Sequence, residues 1–139
     1  MNTGVICRSV VLDAEALSSI AAGRNTKVMA LIQGTWDIDA RVLFPTIILS
    51  EIITGKPSDA SVWRIANKVT SVDLTVRIAV QAGRLRARAG NVRKKKKDLT
   101  VDAIVASTAI LWAPSLLITG DADDLCLLTE GSGVKVVSV

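Results

Sequence analysis

Asp13, Glu51, Asp102 and Asp121 are the residues of this 139-residue chain best placed to do chemistry. Each stands where an apolar run ends or begins: VVLDAEAL, ILSEIITG, LTVDAIVASTAIL and LLITGDADDL. The chain has no histidine. That excludes Ser-His-Asp and Cys-His catalysis, His-ligated zinc and histidine-based ribonuclease acid–base chemistry. An enzyme built from this sequence must use carboxylates, Lys, Arg, Ser, Thr or Cys, or a hard metal held by oxygen. Two carboxylates about 5 Å apart repel by roughly 3 kcal/mol at an effective dielectric of about 20. Three or four gathered together need a cation. Mg²⁺, or Mn²⁺, takes oxygen ligands and keeps several waters, and such ions activate water toward a phosphodiester.

Each acid also has a structural reading. Asp13, Asp102 and Asp121 suit helix caps or first-turn positions, and Asp124, three residues after Asp121, resembles a capping box. Glu51 resists that reading. A helix over 45–54 places it about two turns in, among Ile47, Ile48, Ile52 and Ile53, with Thr54 and Gly55 where a basic partner would stand. A carboxylate buried there needs compensation.

The elements that must position these acids follow from hydrophobic pattern and breakers. Strands are expected over 10–12, 41–44, 71–74, 115–119 and 134–137. Helices are expected over 14–22, from 25 or 26 to 32 or 33 with Gly34 as stop, over 45–54, 58–69, from 76 to about 89, from 100 or 102 to 111, and briefly after Asp121. Residues 90–97 read as a loop. Strands alternating with helices make an α/β fold with a parallel sheet, where ligands sit beyond the carboxyl ends of the strands. Length and the lack of an internal repeat lead to the expectation of one domain over 1–139.

Net charge is +4 with 50% hydrophobic residues, and the charge is uneven. Nine basic residues and no acid lie between Arg77 and Lys97, whereas six acids stand against Lys135 alone from Asp98 onward. Arg77, Arg84 and Arg88 share a helix face, a basic ridge suited to a polyanion. With Lys94, Lys95, Lys96 and Lys97, Arg84 and Arg88 are candidate RNA-backbone contacts; a solvated lysine-rich loop is the plain alternative. Cys7 and Cys126 show no paired spacing and read as reduced thiols filling apolar space. No signal peptide or membrane span is evident, so a cytoplasmic protein is expected. Trp112 reads as core, Trp63 as the edge of an apolar stripe or a partner surface, and Trp36 has no assignment.

The four quoted motifs, in this order, resemble the PIN-domain family, and within it the VapC-type toxins of bacterial toxin–antitoxin pairs. The resemblance runs from about Val10 to Val139. It implies a three-layer α/β/α sandwich with a mostly parallel central sheet. It places the family's acidic quartet on Asp13, Glu51, Asp102 and Asp121, with Asp124 as a further acid near the metal and Thr119 supporting the pocket. It implies Mg²⁺-dependent endoribonuclease activity, a cognate antitoxin protein and a homodimer. The lysine-rich 91–97 stretch and Pro114 depart from the family pattern; neither removes an acid. The rival expectation is a non-catalytic basic nucleic-acid-binding module. A phosphoacceptor receiver domain is disfavoured because Asp13 is followed by Ala14 rather than a second acid.

Overall fold

Five short runs rich in Val, Ile and Leu form one all-parallel sheet in the computed structural model, which describes residues 7–37, 40–92 and 98–139. The strands are β1 (Ser9–Leu12), β2 (Arg41–Pro45), β3 (Thr70–Val72), β4 (Ser115–Thr119) and β5 (Val134–Ser138). Their order in the sheet is β3-β2-β1-β4-β5. β1 lies at the centre, and all four of its residues are buried. Continuous apolar strands of this kind are what a parallel sheet covered on both faces requires.

Helices α1 (Ala14–Ala21), α2 (Thr26–Asp37), α3 (Leu49–Ile52), α4 (Asp59–Ala66), α5 (Val76–Val92), α6 (Thr100–Leu111) and α7 (Ala122–Leu128) supply the cover. α6 is apolar almost all round, and Ala103 through Ala109 are buried. A helix with no polar face belongs inside. α5 packs antiparallel to α6. The Ser107 hydroxyl donates to the Ile78 carbonyl at 3.0 Å, and the Arg86 guanidinium donates to the Thr100 hydroxyl at 2.8 Å near the opposite end. The fold is thus the PIN-like α/β/α sandwich that the motifs implied.

The strand order fixes where a site can form. The chain builds outward from β1 through β2 to β3, then returns to β4 on the other side of β1. The carboxyl ends of β1 and β4 therefore flank a topological switch point, the crevice where parallel sheets bind ligands.

Several elements differ from expectation. Pro45 ends β2, paired in register with Val72, rather than opening a helix. Its backbone is extended (φ −71, ψ 131). A 3-10 turn at Thr46–Ile48 follows, and α3 is only four residues long. Glu51 consequently lies in the first turn of α3 and is exposed, not buried among isoleucines. α2 and α5 run through Gly34 and Gly90, because an isolated helical glycine costs only about 1 kcal/mol against alanine. Trp36 thereby falls on a helix, 40% exposed, while Trp63 is 45% exposed. Trp112 is half-buried beneath the Arg41 guanidinium, 5.7 Å from the ring centre. Cys126 is exposed and so fills no core space. Among the described residues, no helix is long and apolar enough to cross a membrane.

Candidate active site

Asp13 follows β1 directly, and its backbone N–H still donates to Ile118 of β4 at 3.1 Å. Its side chain caps α1, with Oδ1 accepting from the Ala16 N–H at 2.8 Å. Oδ2 accepts from the Gly120 N–H at 3.1 Å, across the β1–β4 crevice. The Thr119 side chain supplies a further hydrogen bond to this carboxylate. Thr119 is fully buried, and its hydroxyl oxygen also accepts from the Asp121 N–H at 2.9 Å. One hydroxyl therefore braces Asp13 and the turn that carries Asp121.

Asp13 is only 7% exposed. Burial pushes its carboxyl above the ordinary value of 3.8. Hydrogen bonds from Thr119, Ala16 and Gly120 oppose that shift, and the Glu15 charge adds to it. The capping reading of Asp13 is correct as local structure, yet a cap needs neither this depth nor the bond across the sheet.

A pocket of about 270 Å³ opens here, and its walls include Asp13, Glu51, Asp102 and Asp121. Four acids from four separate stretches of the chain thus face one concavity. Asp102 comes from the first turn of α6 and is half-buried. Asp121 occupies the N-cap position of α7 without making a capping bond through its side chain. Among the described residues, no lysine or arginine lines this pocket.

Glu15 and Ser18 also line it, and neither was expected from sequence. They stand three apart on α1, so they share the helix side that Asp13 opens. That spacing was the available signal. The Glu15 carboxyl packs against Gly120, in the space a Cβ there would occupy.

The other expected residues are placed differently. Asp124 is half-buried in the first turn of α7 and does not line the pocket. Arg84 and Arg88 are exposed on α5 and line a different surface from the acids. Arg84 borders a groove against the end of α6. Arg88 donates to the Leu128 carbonyl at the end of α7, at 3.3 Å. Lys94, Lys95, Lys96 and Lys97 lie outside the described residues.

The donors can be tested against a metal. Among the described residues, no three acidic, histidine or cysteine side chains converge closely enough to enclose an ion. A closed cage is therefore not built. The acidic donors are nevertheless all carboxylate oxygen, with no cationic side chain among the described residues of the wall. That suits Mg²⁺, which is held by one or two carboxylates and keeps most of its waters.

No protein-family model and no curated protein matches the chain. Solved structures do match. VapBC2 from Rickettsia felis, bound to a DNA fragment from its promoter, superposes with a TM-score of 0.74 at 11% identity, over 94% of this chain and 98% of that one. DNA-bound VapBC from Salmonella typhimurium gives 0.68 at 13% identity, over 94% and 97%. FitAB bound to an IR36 DNA fragment gives 0.65 at 17% identity, over 93% and 94%. At these identities the shared property is the fold, and it extends over nearly the whole of each chain.

Proposed function

We propose that this protein is a metal-dependent endoribonuclease acting as the toxin of a type II toxin–antitoxin pair. One observation carries the reading: Asp13, Glu51, Asp102 and Asp121 line a single pocket at the β1–β4 switch point. The fold neighbours, VapBC and FitAB assemblies, agree with the resemblance carried by the motifs. Bound at this pocket, Mg²⁺ or Mn²⁺ would supply an activated water and neutralise charge on the RNA phosphodiester.

The chain's own residues divide the remaining work. Asp13, Asp102 and Asp121 are the proposed metal ligands, one or two of them directly and the rest through bound water, as the lack of a closed cage among the described residues requires, with Asp124 an outer acid. Asp13 is the rigid one, since its carboxylate is fixed by Ala16, Gly120 and Thr119. Thr119 keeps Asp13 and the Asp121 turn in register. Glu51 lines the same pocket from an exposed position and would take a proton from the attacking water. With no histidine in the chain, a carboxylate would take this role, and carboxylates are the titratable groups among the described pocket residues. Lys94, Lys95, Lys96 and Lys97, with Arg88, would hold the RNA backbone. A cognate antitoxin protein would neutralise the toxin, which would act as a homodimer.

The test is cleavage of a mixed tRNA and rRNA pool. The parent in Mg²⁺ is expected to give discrete fragments; EDTA and Asp102→Asn are expected to give none. Cleavage that persists in EDTA, or in Asp102→Asn at the parent rate, contradicts the reading. Salt-sensitive RNA binding indifferent to Mg²⁺ would instead support a non-catalytic binding module.

A further inference from the structure

The first half of α5 and the last turns of α6 border a groove of about 560 Å³ that shares no residue with the acidic pocket. Its walls include Val76, Val80, Ile110 and Leu111. Val76 is 81% exposed, Val80 47% and Leu111 40%. Arg77 and Arg84 line it beside them, and among the described residues no acid does. Seven residues separate the two arginines, a rise of about 10.5 Å along the helix. An apolar strip flanked by two cations therefore runs along a rigid helix pair.

We propose that this groove docks an amphipathic, acidic helical segment of a partner protein. The segment would carry two carboxylates seven residues apart, with apolar side chains between them. Such a helix pairs its acids with Arg77 and Arg84 while its apolar residues cover Val76, Val80 and Leu111. Charge complementarity selects this occupant over the two others. RNA phosphates would pair with the arginines but leave the apolar strip in water, and no aromatic side chain lines the groove to stack a base. A second copy docking through the same face would present the same two cations, like against like. Arg84 is accordingly assigned to a protein surface rather than to RNA. This assignment does not depend on the nuclease reading, because the two linings are separate.

The probe is a synthetic stapled helix with Glu at its first and eighth positions and Leu at its fourth and fifth, labelled for fluorescence anisotropy. A second peptide carries Lys for Glu. The full chain is expected to bind the Glu peptide saturably and the Lys peptide at least about tenfold more weakly. Val80→Asp and Arg84→Glu, both at exposed positions, are each expected to weaken Glu-peptide binding about tenfold or more. The double variant Arg77→Glu, Arg84→Glu is expected to prefer the Lys peptide. Circular dichroism checks that each variant folds. Absence of binding by the Glu peptide, or equal binding of both peptides, overturns the proposal. So does a single-stranded RNA oligonucleotide that competes for the arginines and is unaffected by Val80→Asp. Self-association in sedimentation equilibrium that Val80→Asp abolishes would also overturn it, by assigning the face to a second copy.

Discussion

Asp13 holds a carboxylate where water barely reaches, and its three hydrogen bonds do not fully offset that desolvation. Such an arrangement is stable when a cation shares the charge. Thr119 is the residue through which this can be examined without touching an acid. Thr119→Val keeps the side-chain shape but leaves the Asp121 N–H and one Asp13 bond unmade. It is expected to weaken Mn²⁺ binding by about 10–100-fold, as loss of an orienting partner does at metal sites. Calorimetric titration measures it, and unchanged affinity would show that the brace is unimportant. Asp13→Asn is expected to abolish Mg²⁺-dependent cleavage while the circular dichroism spectrum stays native. At this scale the sequence was informative about three acids and less so about their surroundings. A single Asp closing a run such as VVL or LLIT, or opening AIVASTAIL, reads directly as the edge of a buried element. Glu15 was passed over because its place against Gly120 depends on β1 and β4 meeting, a contact 105 residues apart in sequence.

The segment carrying Glu51 shows what element boundaries decide. Local propensity permits a helix from Pro45, but pairing of Pro45 with Val72 extends β2 and leaves α3 short. Glu51 then reaches the pocket rim from a four-residue helix, and the loop after it must hold that helix in place. Asp59 does so. Its carboxylate accepts the Thr54 N–H at 3.0 Å, the Gly55 N–H at 2.7 Å and the Thr54 hydroxyl at 2.9 Å. The Thr54 backbone bond, chiefly, lowers its pKa below 3.8. The native state therefore favours the ionised form. The stabilisation is complete above the unfolded value and is lost as pH falls through the lower native one. Asp59→Asn is expected to melt below the parent at pH 7, with the gap closing as pH falls below 3.8. Melting curves across that range test this; a gap that stays constant contradicts it. Asp124 makes the complementary point: spacing placed it in the first turn of α7, yet it does not line the pocket.

On the scale of the whole molecule, alternation of strand and helix sufficed to foresee a parallel α/β sheet. The β3-β2-β1-β4-β5 order, which puts Asp13 beside the Asp121 turn, is a tertiary fact that no local pattern contains. Charge is partitioned at the same scale, with the 77–97 stretch basic and the switch-point pocket acidic. Replacing Lys94, Lys95, Lys96 and Lys97 with Ala is expected to weaken RNA binding across sequences. It should also reduce the slope of log affinity against log salt by about 3, at roughly 0.7 per phosphate contact. An unchanged slope would place the RNA elsewhere. A divalent ion at about 100 times its dissociation constant is expected to stabilise the fold by about 2.7 kcal/mol, or roughly 10 °C in melting temperature. The most direct measurement of the central claim is calorimetric titration of Mn²⁺ into the protein without RNA, beside Asp13→Asn, Asp102→Asn and Asp121→Asn. The expected result is saturable binding to the parent that each single neutralisation weakens by at least about tenfold. Binding that is absent, or that survives all three substitutions unchanged, would contradict a single metal centre built from these acids.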